Sequence, residues 1–222
     1  NVEMVIYTQT EFAEKIREIR NSFGFSNKTT VVEYDHFFDD SRLDSIQQVM
    51  DDPYYQSLPT EPGCPEYWNP KYVYLNTCKS YFVYNAVDCG YVTNDQVAWI
   101  DFGYCRDIDR LPKSRIWNYD FGENMNLFQI REFDNRSVVD IMRTNTVYIQ
   151  GCHIVGPKSK WTDMDGYVWG SFDSMMECGI IDDDQTMLLM AYRKYSDFFK
   201  INYIDTNEDG WFVIFKKFNN AE

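Results

Sequence analysis

The hydrophobic pattern of the first fifty residues predicts alternating strands and helices. Residues 2–7 form a short apolar run typical of a strand, and residues 28–34 contain the β-branched stretch Thr-Thr-Val-Val. Residues 10–19 carry apolar side chains at helical spacing, and residues 40–50 predict a second helix. A strand, a helix and another strand in this order predict a βαβ unit with parallel strands.

Beyond this unit, a proline-rich segment at residues 51–70 predicts one long loop, which further strands and helices follow. The expected helices are residues 71–86, with Leu75 and Phe82 on the buried face, 163–178 and 182–194. The expected strands are residues 96–100, 126–133 and 146–150, with a hairpin of 201–204 and 211–215 around a turn at 207–210. We therefore expect an α/β fold in which helices flank a mostly parallel mixed sheet.

Length and charge narrow the class of protein. The 222 residues suit one domain, and no apolar run approaches the roughly 20 residues of a membrane span. The net charge is −14, with 35 acidic against 21 basic residues and no cluster of Lys and Arg. Phosphate backbones and anionic membranes attract clustered basic residues, so we expect neither nucleic acid nor a membrane surface as a partner.

The six cysteines predict reduced, mostly buried thiols, as in a cytoplasmic protein. None forms a C-x-x-C pair, and their spacings do not match a zinc site. A core of this size needs no disulfide. The sequons at Asn27 and Asn135 leave open the alternative of a secretory-pathway lumen or a secreted protein.

The most specific local feature is the stretch Trp-Ile-Asp-Phe-Gly at residues 99–103. An apolar strand that ends in Asp101 and is followed by Gly103 places a carboxylate at the carboxyl edge of a sheet. Open α/β sheets bind their ligands at that edge, and glycine lets a ligand approach the main chain. Asp101 is therefore a candidate ligand for a metal or a sugar nucleotide, although an ordinary Asp at a strand end gives the same pattern.

Two further stretches carry candidate chemistry. One stretch is the start of a helix, with Asp182, Asp183, Asp184 and Gln185 in sequence. Acidic side chains there interact favourably with the helix dipole, and they also provide a carboxylate for proton transfer. Because adjacent acids repel one another, we expect Asp182 to face solvent and Asp184 to be held by the core. Residues 151–156 predict a loop with two glycines, which would let a sugar lie close to the main chain.

These features, in this order, resemble the HtrL/YibB family of bacterial proteins, and the matching stretches span nearly the whole chain. They are Met4-Val-Ile-Tyr7, Asn69-Pro-Lys-Tyr72 with Lys79, Trp99-Ile-Asp-Phe-Gly103, Gly151 to Gly156, and Asp183-Asp-Gln185. The family is similar to GT-A glycosyltransferases, and its members lie near genes for lipopolysaccharide and surface-polysaccharide synthesis. The resemblance implies one GT-A-like domain over residues 1–222, a nucleotide-sugar donor and a glycan acceptor.

The resemblance also implies roles for individual residues. Asp101, with Gly103 beside it, would face the donor diphosphate through a divalent cation (Mn or Mg), and Lys79 would assist with the same charge. Gly151 and His153 would line the sugar site. The catalytic residues would be Asp184, Gln185 and Asp183, acting on the acceptor hydroxyl or the sugar. Gly103 stands where GT-A enzymes usually carry a second acid. The chain begins at what resembles the family's second strand, so we expect the first, nucleotide-contacting strand to lie outside residues 1–222.

Two other functions fit the same sequence. In a non-catalytic glycan-binding or assembly protein of this fold, Trp68, Trp117 and Trp161 would stack on sugars. A nucleotide-sugar hydrolase or pyrophosphorylase-like enzyme would bind the same donor, although the glycine-rich, basic N-terminal loop of pyrophosphorylases is not found here. Binding of oligosaccharides without any nucleotide sugar would favour the glycan-binding protein.

Overall fold

The computed structural model describes residues 2–105, 117–204 and 211–220 and has an α/β arrangement within one domain. The strands are β1 (Met4–Thr8), β2 (Thr29–Glu33), β3 (Gln96–Ile100), β4 (Met125–Gln129), β5 (Ile149–Pro157) and β6 (Phe199–Tyr203). The α-helices are α1 (Thr10–Ser22), α2 (Asp40–Met50), α3 (Pro53–Gln56), α4 (Pro70–Thr77), α5 (Lys79–Asp88), α6 (Val138–Arg143), α7 (Trp161–Glu177), α8 (Asp184–Lys194) and α9 (Ile214–Lys217).

The strands form two sheets, and only half of their pairings are parallel. Strands β1 and β2 pair in parallel, which confirms the predicted βαβ unit. The second sheet has the order β3-β5-β4-β6, in which β5 is antiparallel to both neighbours and β4 is parallel to β6. The expectation of a mostly parallel sheet is therefore corrected. A strand buried on both faces is apolar throughout in either direction, so the hydrophobic pattern does not encode its orientation.

Strand β5 includes the segment that predicted a glycine-containing loop. It runs from Ile149 to Pro157, and its register against β4 shifts between Asn126 and Phe128. The glycines of β5 are explained by close packing against neighbouring side chains, not by a turn. A Cβ atom on Gly156 would lie 2.3 Å from Met125 Sδ, closer than real Cβ contacts allow. The two glycines that predicted a loop therefore reflect close packing within a sheet.

Three other elements differ from the expected ones. The helix expected at 71–86 is divided into α4 and α5 at Cys78, and Leu75 is exposed rather than buried. The expected loop at 51–70 contains the short helix α3 and a 3₁₀ turn at Pro65–Tyr67. Residues 211–215 form no hairpin strand, because Ile214 and Phe215 belong to α9 and pack into the core. The expected hairpin turn at 207–210 lies outside the described residues.

Buried side chains lie on both faces of the four-stranded sheet. The larger cluster fills the space between this sheet and helices α2, α4, α5, α7 and α8, and it includes Leu127 and Ile154. The smaller cluster, on the other face, is mostly aromatic and includes Phe128 and Val155. Neighbouring residues of β4 and of β5 thus enter different clusters, as the alternation of side chains along a strand requires.

Helix α5 connects the two sheets. The ring of Phe82 lies 4.9 Å from the ring of Tyr7 in β1 and 5.9 Å from the ring of Trp99 in β3, measured between centroids. At the other end of β1, Glu3 accepts hydrogen bonds from Thr93 and Asn94, just before β3 begins. Strands β1 and β3 therefore run in the same direction over one helix. None of the described helices is long and apolar enough to cross a membrane.

We expect six reactive thiols when the unfolded, unreduced protein is titrated with a thiol reagent. All six cysteines are free, but the expectation that most of them are buried is wrong: only Cys78 is buried, whereas Cys89, Cys105 and Cys178 are exposed. A count of two or fewer would contradict this and would indicate disulfides formed in an oxidising compartment.

Candidate functional site

The candidate site is organised around the ammonium group of Lys79, the first residue of α5. Because α4 ends at Thr77 and α5 begins at Lys79, the side chain leaves the helix at its N-terminus and reaches the sheet. Its Nζ atom lies 3.0 Å from Asp184 Oδ2, 3.3 Å from Asp101 Oδ1 and 3.2 Å from the carbonyl oxygen of Gly151. These four residues, which we call the Lys79 cluster, come from four separate segments of the chain.

Asp101 is the member of the cluster that solvent reaches most easily. Its side chain is 36% exposed, against 10% for Lys79 and 4% for Asp184. The Trp99 indole donates a hydrogen bond to Asp101 Oδ1 at 2.6 Å, and the Asp101 amide donates to the Cys152 carbonyl at 3.0 Å. The carboxylate is therefore fixed from two sides at the carboxyl end of β3, the edge that the sequence predicted.

Gly151 makes room for Asp184. A Cβ atom at position 151 would lie 1.8 Å from Asp184 Oδ2 and 2.5 Å from its Cγ. No side chain fits there while Asp184 remains bonded to Lys79. Gly151 was expected to line a sugar site in a loop; it lies instead in β5, where its missing side chain admits a carboxylate.

The three consecutive acids are all buried at the start of α8. Asp183 is the N-cap and accepts a hydrogen bond from the Gln185 amide at 3.1 Å. Asp182 was expected to face solvent, and this is wrong: its carboxylate accepts from the Asp183 amide at 2.9 Å and from Thr186 Oγ1 at 2.6 Å. Side-chain and main-chain donors thus replace water around Asp182, and α8 begins at Asp184 rather than at Asp182.

Burial dominates the ionisation of these groups. It raises the pKa of Asp184, although the charge of Lys79 opposes the effect. Burial and the neighbouring charges of Asp182 and Asp184 raise the pKa of Asp183 well above its usual range. Burial alone would lower the pKa of Lys79, but the negative charges of Asp184 and Asp101 outweigh it and raise that pKa. The ammonium therefore stays charged, and burial favours the neutral form of the acids.

His153 lies apart from the Lys79 cluster, contrary to the expected role in lining a sugar site. It is fully buried among aromatic rings, 4.3 Å from Tyr104 and 4.9 Å from Phe215 between ring centroids. Within the described part of the chain, neither ring nitrogen has a hydrogen-bond partner. In β5, where neighbouring side chains alternate between faces, His153 joins the aromatic cluster while Ile154 joins the larger core on the opposite face. Its location is that of a core residue.

The remaining expected residues border the cluster. Gly103 lies in the turn after β3, where the Tyr104 amide donates to the Asp101 carbonyl at 2.9 Å. Gln185 is the second residue of α8 and is half-buried. In the sequence, Trp99 is only one letter of the Trp-Ile-Asp-Phe-Gly stretch. In the structure, its indole holds the Asp101 carboxylate in place. Tyr72, half-buried, was missed as a neighbour of the acids: burial first, then Asp183 and Asp184, raise its pKa.

The residues around Asp101 do not fit the divalent cation that the resemblance implies. The Lys79 ammonium already lies between Asp101 and Asp184, and it would repel a second cation there. Among the described residues, no group of three or more His, Cys, Asp or Glu side chains is arranged to hold a metal ion. The metal therefore stays a prediction of the resemblance alone, and no step proposed below depends on one.

The tryptophans expected to stack on glycans are mostly part of the core. Trp161 is fully buried, and the Trp117 ring packs edge-on against His153 and Phe215. Trp68 alone of the three is exposed, with its indole nitrogen donating to the Gly63 carbonyl at 3.1 Å. The structure thus offers no row of exposed indoles for a glycan within the described residues.

Fold and site together define an α/β protein with a buried, charged cluster where a strand ends and two helices begin. The chain belongs to the family described as "Bacterial protein of unknown function (HtrL_YibB)", whose model matches residues 1–220. It is 35% identical over 226 residues to "Protein HtrL" of Escherichia coli (strain K12), covering 97% of this chain and 76% of that protein. No solved structure matches.

We expect Gly151→Ala to destabilise the protein through Asp184. The added methyl group collides with a buried carboxylate, so unfolding in urea should be easier by at least about 2 kcal/mol. In an Asp184→Ala background the same change should cost much less, because the collision is removed. Gly166→Ala is the matched control, since a Cβ there meets nothing within 4 Å. Equal costs in both backgrounds would contradict the steric explanation.

We expect His153→Phe to protect the protein against acid. Burial lowers the pKa of His153 to about 3, so the folded state stays unprotonated when the unfolded chain, with a pKa of about 6.5, binds a proton. The parent therefore loses stability as the pH falls below about 6.5, by roughly 2 kcal/mol at pH 5. The variant should lack this loss in urea unfolding. Parallel pH profiles for variant and parent would contradict it; exposed His36→Gln is the control.

Proposed function

We propose that the protein is a glycosyltransferase that moves a sugar from a nucleotide-diphosphate donor to a hydroxyl group of a glycan acceptor. The reaction belongs, in this proposal, to lipopolysaccharide or other surface-polysaccharide synthesis in the cytoplasm, where bacteria make nucleotide sugars. The observation that carries the proposal is the Lys79 cluster: one buried ammonium bound to two carboxylates at the carboxyl edge of β3. Family membership alone brings no activity with it, so the cluster is the main support.

The location of the cluster favours a ligand site over a purely structural ion pair. Asp101 follows the last residue of β3, and the first residues of α5 and α8 are Lys79 and Asp184. Strand ends and helix N-termini converge where α/β proteins bind ligands. A buried ion pair contributes little net stability compared with apolar side chains of similar size, so its presence at this edge is better explained by a ligand.

Asp184 is the proposed acid/base group, with Gln185 and Asp183 beside it. Burial raises the pKa of Asp184, which makes the carboxylate a better proton acceptor. In the transfer, the bond between the anomeric carbon and the diphosphate oxygen breaks and a bond to the acceptor oxygen forms. The acceptor hydroxyl gives its proton to the carboxylate, and the nucleoside diphosphate leaves. Half-buried Gln185 would orient the acceptor through its amide.

Two measurements test this proposal. Calorimetry with a panel of nucleotide sugars, with and without manganese, should find a donor that binds the parent protein. Asp184→Asn should then keep donor binding but lose at least about 100-fold in turnover, the size expected when a proton-transfer group is removed. The amide oxygen can still accept a hydrogen bond from Lys79, and Asp101 remains as its charged partner, so the fold should survive.

Three outcomes count against the proposal. Binding of oligosaccharides without any nucleotide sugar would favour a glycan-binding protein instead. Near-parental turnover of Asp184→Asn would remove Asp184 from the mechanism. Loss of folding in that variant would show that Asp184 serves mainly as the first residue of α8 and as the partner of Lys79.

A further inference from the structure

The hydrogen-bonding capacity of the Lys79 cluster decides which part of a donor it can meet. A lysine ammonium has three N–H donors. All three have acceptors within the protein: Asp184 Oδ2 at 3.0 Å, the Gly151 carbonyl at 3.2 Å and Asp101 Oδ2 at 3.4 Å. A phosphate oxygen that approached Lys79 would have to displace one of them.

What the cluster offers to solvent is an acceptor. The Asp101 carboxylate takes one hydrogen bond from the Trp99 indole and one from Lys79, and its side chain is 36% exposed. Two carboxylate oxygens provide about four acceptor positions, so about half of them remain for a ligand once the donors of the described residues are counted. Asp184 is less exposed, at 4% of its side chain, and in the proposed function it meets the acceptor hydroxyl. A donor sugar at the exposed carboxylate must therefore donate hydrogen bonds to Asp101.

Among the described residues, the charge of the cluster also disfavours phosphate. One ammonium faces two carboxylates, so the cluster is net negative when both carboxylates are ionised. A diphosphate is an anion that can only accept hydrogen bonds at neutral pH. It would be repelled by Asp101, whereas an uncharged sugar donates hydroxyl protons without a charge penalty.

We infer that Asp101 binds hydroxyl groups of the transferred sugar, and that the donor diphosphate lies elsewhere. This assignment rests on the proposed function and replaces the expected contact between Asp101 and the diphosphate. Lys79 and Trp99 then act as positioning residues, because they fix the carboxylate rather than touch the sugar. Asp101 becomes a determinant of which sugar is accepted, through the placement of its hydroxyl groups.

The test compares two ligands that share a nucleoside diphosphate, of which only one carries the sugar. The binding constants of a nucleoside diphosphate and of the corresponding nucleotide sugar are measured by calorimetry, in the presence of EDTA, for the parent and for Asp101→Asn. We expect the variant to bind the nucleotide sugar about tenfold or more weakly, as for loss of a hydrogen bond to a charged group. Its affinity for the nucleoside diphosphate should stay within about twofold.

A series of monodeoxy donors sharpens the comparison. If a sugar hydroxyl donates to Asp101, removing that hydroxyl should weaken binding to the parent but have little further effect on Asp101→Asn. The matched control is Asp95→Asn, the same substitution in an exposed pair whose Lys158 Nζ lies 3.2 Å from Asp95 Oδ1. It should leave all binding constants unchanged.

The outcomes separate this assignment from the proposed function. Equal weakening of both ligands by Asp101→Asn would place the carboxylate at the diphosphate and overturn the assignment, while leaving the glycosyltransferase proposal intact. A variant that binds the nucleotide sugar and every deoxy analogue as the parent does would also overturn it. A parent protein that binds neither a nucleotide sugar nor a nucleoside diphosphate would overturn the proposed function itself.

Discussion

The ion pair between Lys79 and Asp184 is the constraint on which the rest of the site depends. Its two members begin α5 and α8, so the pair fixes both helix starts against the sheet. Position 151 must be glycine because the Asp184 carboxylate occupies the space of a side chain. Leaving either buried charge without its partner would cost about 3–5 kcal/mol. Such a pair is costly to keep for stability alone, which is why its place at a strand end matters for function.

The sequence predicts those parts of the fold that repeat with a clear period. The strands of the βαβ unit and β3 were found from short apolar or β-branched runs, and helices α1 and α2 were recognised between them. Strand direction was not predicted, since apolar residues line a buried strand in either orientation. Gly151 and Gly156 were assigned to a loop, because glycine occurs both in turns and in closely packed strands and the sequence alone does not distinguish the two.

For the site, the sequence indicated single residues but not their partners. Asp101 and Asp184 stood out because each follows a recognisable local pattern, a strand end and a helix start. Nothing local shows that Lys79 joins them, since the three positions are far apart in the chain and meet only through packing. His153 was expected in a ligand site because of the chemistry of its side chain. Its actual location depends on the aromatic rings that pack around it, which local sequence does not show.

Phe82 ties the site to the N-terminal βαβ unit. Its ring lies between Tyr7 of β1 and Trp99 of β3, and Trp99 in turn holds the Asp101 carboxylate. Lys79 stands one turn earlier on the same helix. Tyr7 and Trp99 therefore pack against one ring of the helix that carries the ammonium. The N-terminal βαβ unit and the strand that ends at Asp101 thus share one aromatic support, and the site is built on packing that extends to the first strand of the chain.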